Sequence, residues 1–288
     1  MDRSLFFVVP DSCNGMNAQQ FLRYECNLSA RMITRLKREN NGILMDGKIL
    51  RTVDDVIAGK TVVINPPVES SMIEAVEGTL DIAFEDEHFL IVNKPPFMPV
   101  HPVKQHQSDT LANLVTYYMQ SKGESYVFRA INRLDRDTSG LVIIAKNRFI
   151  ANAMKGKIDK IYFALCHGKL EDNGTVNAPI GLTSESKMVR YVIPQGQPAI
   201  THYTVVNSND EFSFIKLILE TGRTHQIRCH MTSLGHPLLG DDLYGGSREK
   251  ISRQALHCGQ VDFVHPITNE KLKVIANLPQ DMSLLINE

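Results

Sequence analysis

The chain has 288 residues, 43% of them apolar and 22% charged, with a formal net charge of −1 at pH 7. That is the make-up of a globular protein folding in water, long enough for two domains whose cores need no disulfide or metal staples. No apolar run approaches the roughly 18 residues of a membrane span; the run from Leu5 to Val9 is too short for a signal peptide and carries no cleavage site.

The five cysteines (13, 26, 166, 229 and 258) are odd in number and include no Cys-x-x-Cys pair. They read as reduced thiols of a cytosolic protein and not as disulfides or zinc ligands. The charge is unevenly spread. From Arg31 to Arg51 six basic residues face two acidic ones, and from Arg129 to Lys160 eight face three. Two basic islands in a nearly neutral chain suggest a polyanionic partner; solvated helix faces are the plainer alternative.

Residues 1–66 read as a small separate domain. Ser29 suits the N-cap of a helix running to about Glu39, with Met32, Ile33 and Leu36 on its apolar side. Arg31, Arg35 and Arg38 fall at i, i+4 and i+7, which puts three guanidiniums on one face. Ile43-Leu44-Met45, Asp46-Gly47 and Lys48-Ile49-Leu50 form a hairpin pattern with a tight turn, and Thr61–Ile64 reads as a further strand. Ser29, Arg31, Gly42, Asp46-Gly47-Lys48 and Gly59 together resemble the alpha-L RNA-binding module. The resemblance implies contact with structured RNA through the helix and hairpin, hence through Arg31, Arg35, Arg38 and Lys48.

Residues 67–79 read as a linker opened by Pro66-Pro67, and 80–288 as a second domain. There Leu80–Phe84 and Phe89–Val92 pattern as paired strands, and Thr110–Met119 as a helix with Leu111, Leu114, Val115 and Tyr118 on one face. Leu141–Ala145, Ile161–Leu165, Tyr203–Val206 and Phe214–Leu219 read as strands, and Arg148–Lys157 as a short helix. The fold class is α+β, with a largely antiparallel mixed sheet flanked by helices.

Two stretches concentrate the chemistry. Asn132-Arg133-Leu134-Asp135-Arg136-Asp137 packs two arginines among the six residues ahead of Ser139-Gly140 and a buried-type strand. A reactive carboxylate at a sheet rim is expected here, against the plainer reading of a solvated turn. Thr221-Gly222-Arg223-Thr224-His225-Gln226-Ile227-Arg228 ends a strand and starts a helix. Thr224 is its expected cap, Ile227, Met231 and Leu234 its apolar stripe, Gly235 its stop, and Arg228 stands off the stripe. His225 and His230 are five apart and cannot share a metal as i, i+4 histidines do. His236, Gly240, Asp241, Asp242 and Tyr244 form a turn-rich loop, and most of them are expected to shape backbone. Asp135-Arg136-Asp137 also suggests an aspartate-nucleophile phosphatase, but that chemistry wants its strand before the first aspartate, and here it follows.

In this order, Asn93-Lys94-Pro95, Arg133–Leu141, Lys160–Leu165 and Gly222–His230 resemble the RNA pseudouridine synthases of the RluA type, and Gly235-His236-Pro237, Gly240-Asp241, Ala255-Leu256-His257 and His265-Pro266 continue the pattern. Asn132 departs from it, standing where the family usually has His. The resemblance implies a cofactor-free and metal-free isomerase that flips its uridine out of the RNA. Asp135 would act on the nucleoside, Arg228 would hold that carboxylate ionised, Tyr162 would stack on the uracil, and Arg133 would fill the vacated place. Ribosomal RNA is the favoured substrate and transfer RNA the alternative; a cytoplasmic monomer with no membrane partner is expected. A silent RNA-binding or assembly factor of the same fold is the rival function.

Overall fold

A computed structural model describes residues 4–66, 72–123, 127–183 and 188–287. The N-terminal part runs β1 (Leu5–Val8), α1 (Ala18–Tyr24), α2 (Ala30–Leu36), β2 (Ile43–Met45), β3 (Lys48–Ile49) and β4 (Thr61–Ile64). Its four strands form one antiparallel sheet in the order β1-β4-β2-β3. The Ser29 side chain accepts from the Met32 N–H (3.2 Å), capping α2 as its residue type suggests. Asp46 and Gly47 both take positive φ (47° and 77°), the twist that a two-residue hairpin turn needs.

Helix α2 is shorter than the sequence pattern suggests. It stops at Leu36 because the chain doubles back over its end: a Cβ on Gly42 would lie 2.1 Å from the Leu36 carbonyl oxygen. Arg38 therefore sits in the turn after the helix, and only Arg31 and Arg35 share a helical face. Phe7 of β1 meets Phe149 of the larger part edge-on, with ring centroids 5.7 Å apart, so the two parts touch through an apolar contact. Residues 67–71 of the expected linker lie outside the described residues. Farther along it is tethered: the Asn113 side-chain amide donates to the Glu74 carbonyl (2.8 Å) and Val76 N–H to the Asn113 carbonyl (3.3 Å).

The larger part continues with β5 (Ile82–Glu85), β6 (Phe89–Lys94), α3 (Leu111–Ser121), β7 (Ser139–Ala145), α4 (Arg148–Ala153), β8 (Asp159–His167), β9 (Gly174–Asn177), β10 (Ile180–Gly181), β11 (Tyr191–Val192), β12 (Ile200–Ser208), β13 (Phe212–Leu219), α5 (Gln226–Ser233), β14 (Leu256–Val264), β15 (Lys271–Ile275) and α6 (Gln280–Asn287). Nine strands form one sheet in the order β5-β6-β7-β14-β8-β13-β12-β9, with β15 also on β14. Every pairing is antiparallel except β7 with β14. This is the mixed, mainly antiparallel α+β sheet expected from the pattern. The elements β1, α1, β9, β10, β11, β14, β15 and α6 have no counterpart in that pattern. Strand β14 shows why: His257, Gly259 and Gln260 break its apolar run.

The parallel junction lies directly beneath the site. All seven residues of β7 are buried. Ser139 pairs with His257 and Gly140 with Cys258. Gly140 has φ 115°, and a Cβ there would fall 2.3 Å from the Cys258 carbonyl oxygen. Gly140→Ala is therefore expected to destabilise the protein by about 2–5 kcal/mol, from backbone strain and overpacking together. Urea unfolding checks this; a midpoint equal to that of the wild type contradicts it.

Candidate active site

The charged stretch is a loop hung from buried groups on three sides. At its start, Asn132 acts as an extra rung of β7: its amide donates to the Leu141 carbonyl (3.0 Å) and accepts from the Ile143 N–H (2.8 Å). A neutral carboxamide is suited to this paired role, so the departure from the family's usual histidine has a local structural use. At its middle, the fully buried Lys94 ammonium donates to the Arg136 carbonyl (3.0 Å) and the Pro95 carbonyl (2.8 Å). Arg253, also buried, donates to the Asp137 carbonyl (3.2 Å) while its other nitrogens clasp Asp281 of α6 at 2.7 and 2.9 Å. At its end, Gln254 donates to the Thr138 hydroxyl (3.2 Å), and the Ser139 hydroxyl and His257 Nδ1 lie 2.9 Å apart. Burial pushes His257 down to about 4, so its ring is neutral at pH 7. Asp137 accepts from Arg136 (2.6 and 3.0 Å) and faces away from the chemistry proposed below. Asp135 is left at the rim, about one-third exposed.

The second stretch approaches from α5. The Gln226 side-chain Oε1 accepts from the Arg223 N–H and the Thr221 hydroxyl (both 2.9 Å), and its Nε2 donates to the Ile200 backbone carbonyl (2.9 Å). That cross-brace fixes the turn, and Thr224 makes no cap. The residue before α5 is His225, in the left-handed region at φ 56°, a conformation uncommon for histidine. The Tyr244 hydroxyl oxygen accepts from the Arg190 N–H (2.9 Å) and lies 3.1 Å from His225 Nδ1. His225 Nε2 on the other side of the ring is 3.7 Å from Asp135 Oδ2. Burial lowers the His225 pKa; the Asp135 charge works against this and Arg228 with it. Leu234, expected on the apolar stripe, is instead 40% exposed.

Arg228 joins the two stretches. Its Nε and Nη2 donate to Asp241 at 2.7 and 2.6 Å, a two-pronged pair with a carboxylate that is wholly buried. Its Nη1 lies 3.3 Å from Asp135 Oδ2, and its guanidinium sits 4.9 Å from the centre of the Tyr244 ring. Burial alone would lower the Arg228 pKa. The hydrogen bonds and charges of Asp241, then those of Asp135, outweigh it and raise the pKa above the ordinary arginine value. Asp135 Oδ1 makes no hydrogen bond among the described residues, so one carboxylate oxygen is held and the other is open.

These groups face a cleft of about 380 Å³, its open mouth included. Its walls carry Arg133, Asp135, Tyr162 and Arg228 among polar groups, with Leu219, Ile227 and Leu256 as apolar surface. Tyr162, on β8 between Leu217 and Cys258, is 6% exposed. Burial raises its pKa well above the ordinary 10, and the neighbouring Cys258 thiol and Asp135 add to this, so the phenol is neutral across the physiological range. Arg133 is exposed at the mouth. The structure thus brings together Asp135, Tyr162, Arg228 and Arg133. It does not bring Arg31, Arg35, Arg38 or Lys48 to the cleft; they lie on the N-terminal part, with Arg31, Arg38 and Lys48 exposed.

Asp241 is an exception within its turn-rich stretch: its carboxylate is the buried counter-charge of Arg228. Lys94, Arg253, Gln254 and His225 were also without an assigned part. Among the described residues, no cluster of three or more His, Cys, Asp or Glu side chains could hold a metal ion, and no helix is long and apolar enough to cross a membrane.

Comparison with known proteins adds the family. Residues 88–233 match the family model described as RNA pseudouridylate synthase. The chain belongs to the RNA pseudouridylate synthase family. It is 42% identical over 270 residues to the uncharacterized RNA pseudouridine synthase YjbO of Bacillus subtilis (strain 168), covering 91% of this chain and 95% of that protein. It is 34% identical to the ribosomal large subunit pseudouridine synthase D of Escherichia coli (strain K12), covering 85% and 81%. Among solved structures it is similar to human RNA pseudouridylate synthase domain containing 1, with a TM-score of 0.57 and 27% identity over 74% of this chain and 96% of that one. The protein is thus an RNA pseudouridine synthase, an isomerase.

The pseudouridine synthase loop depends on a lysine under electrostatic load. Burial, then the Arg253 charge, pull Lys94 down from 10.5 to about 7, against the opposing pull of Asp137 and Asp135. A pKa lower in the folded than in the unfolded state gives a stability contribution complete above about 10.5 and lost as the pH falls through about 7. Urea unfolding across that window should show wild-type stability rising with pH by several kcal/mol more than that of Lys94→Met. Parallel pH curves for the two proteins contradict this.

Proposed function

We propose that this enzyme isomerises uridine to pseudouridine in large-subunit ribosomal RNA, with Asp135 acting on a nucleoside flipped out of its helix. The observation that carries the reading is the Asp135 carboxylate, with Oδ2 turned to Arg228 and Oδ1 left open on the cleft that Tyr162 and Arg133 also line. The names of relatives such as the ribosomal large subunit synthase D favour ribosomal RNA as the substrate class.

The reaction breaks the N1–C1′ bond, turns the uracil and closes a C5–C1′ bond; the C5 proton leaves and N1 gains one. Atoms and electrons balance within the nucleoside, so no cofactor is called for. Asp135 is the anionic group in reach, as nucleophile or base. Arg228 sets a positive charge 3.3 Å from Asp135 Oδ2 and orients that carboxylate. Tyr162 presents a neutral ring to the uracil, and its raised pKa disfavours a phenolate base in the resting enzyme. Unstacking the target leaves a gap, and Arg133, exposed beside Asp135, is placed to fill it.

In the N-terminal part, Arg31, Arg35, Arg38 and Lys48 are assigned to RNA phosphates, in keeping with the alpha-L-like helix and hairpin. Five cysteines, all buried and free, fit work in the reducing cytoplasm, and the enzyme is taken as a monomer.

Pseudouridine mapping of ribosomal RNA from cells with and without the protein identifies the target. On that RNA, Asp135→Asn should form no pseudouridine while keeping near-wild-type RNA affinity, and Arg228→Ala should lose about 100-fold or more in rate through misplacement of the carboxylate. Turnover by Asp135→Asn, or a wild-type rate for Arg228→Ala, removes the assigned role.

A further inference from the structure

A second concave surface adjoins the cleft. It lies between the β10–β11 hairpin and the turn that leads into α5, has a volume of about 790 Å³ with its open mouth, and includes Ile180, Gly181, Arg190, Gly196, Gly222 and Arg223 in its walls. Arg223 is the one residue whose side also faces the uridine cleft, so a chain leaving that cleft on this side enters the groove.

The groove's charge is one-sided. Among the described residues no acidic side chain lines it, and neither Arg190 nor Arg223 meets a carboxylate. Arg223 spends Nε on the Pro198 carbonyl (3.0 Å), which aims the guanidinium and leaves its two terminal nitrogens unbonded among those residues. Arg190 is fixed from its backbone, whose N–H donates to the buried Tyr244 hydroxyl (2.9 Å). Its positive charge reaches His225 at the cleft wall, so Arg190 stands between groove and cleft. The exposed N–H groups of Gly222 and Thr224 also lack a partner among the described residues. Two unpaired guanidiniums and free backbone donors, with no aromatic ring in the walls, make a surface for phosphate oxygens and not for a stacked base.

We infer that this groove is a second RNA subsite, in which Arg190 and Arg223 hold a phosphodiester next to the target uridine. The inference rests on RNA being the substrate. It also gives His225 a context, because the hairpin residue that meets the phosphate is joined through Tyr244 to the ring facing Asp135.

The test uses the full-length protein and an unmodified transcript of large-subunit ribosomal RNA, with affinity measured against salt concentration. Arg190→Gln and Arg223→Gln should each flatten the log–log salt slope by about 0.7–0.9, the loss of one phosphate contact. Arg190→Lys should restore it, and Arg248→Gln, on an exposed arginine paired with Asp242, should leave it unchanged. For Arg190→Gln the loss should fall on KM and not on kcat. In short RNAs with a methylphosphonate at single linkages beside the uridine, one linkage should weaken the wild type and have no further effect on Arg190→Gln. Slopes equal to wild type in both glutamine variants, or a methylphosphonate penalty of the same size in wild type and Arg190→Gln at every linkage, overturn the subsite. Those outcomes with an active wild-type enzyme leave the proposed function standing. A wild type that binds the transcript but converts no uridine in it counts against the function and leaves the slopes to judge the groove.

Discussion

The site depends on one guanidinium placed between two carboxylates in unequal surroundings. Arg228 is 7% exposed, Asp241 fully enclosed and Asp135 open to solvent on one side. A buried ion pair contributes little net stability, because desolvation offsets most of the attraction; losing one partner is what costs. The value of the Asp241 pair is therefore positional. Two short hydrogen bonds hold the orientation of the Arg228 guanidinium and turn its Nη1 toward Asp135. The arrangement gives a carboxylate a fixed cationic neighbour without closing off its second oxygen.

The other half of the constraint is the loop that carries Asp135. Its shape is set by backbone carbonyls anchored to buried cations, Arg136 to Lys94 and Asp137 to Arg253. Arg253 in turn is neutralised by Asp281 of α6, so the C-terminal helix is linked electrostatically to a loop far from it in the chain. Beneath the loop, the lone parallel pairing of β7 with β14 demands a glycine at 140. The supports come from β6 and from β14 with the segment leading into it, so the loop is held by neighbouring strands and not by its own turn propensity alone.

What the sequence made readable follows from what is local. Short continuous apolar runs marked the central strands and the class of sheet. A cap residue gave the start of α2, and a dense charge cluster before a buried strand pointed to the loop of Asp135. The family resemblance pointed to Tyr162 and Arg228, which the structure sets around the same cleft as Asp135 and Arg133. Asp241 was passed over because it lies in a turn-rich stretch, 13 residues past Arg228, where an aspartate usually serves the backbone. Nothing local marks it as a buried counter-charge. Lys94 was seen only as part of the Asn93-Lys94-Pro95 segment of the resemblance, since its partners are carbonyls 1 and 42 residues away. Helix α2 was overextended because Gly42 folding back on Leu36 is a tertiary event, and Thr224 looked like a cap because the left-handed turn at His225 has no signature in residue type.

The central claim is that Asp241 acts on the reaction only by aiming Arg228 at Asp135. The most direct measurement is the single-turnover rate of pseudouridine formation by Asp241→Asn, in protein whose urea curve shows it folded, beside its RNA affinity. The account predicts a rate lower by about 100-fold or more with RNA affinity near that of the wild type. A wild-type rate in the folded variant would contradict it.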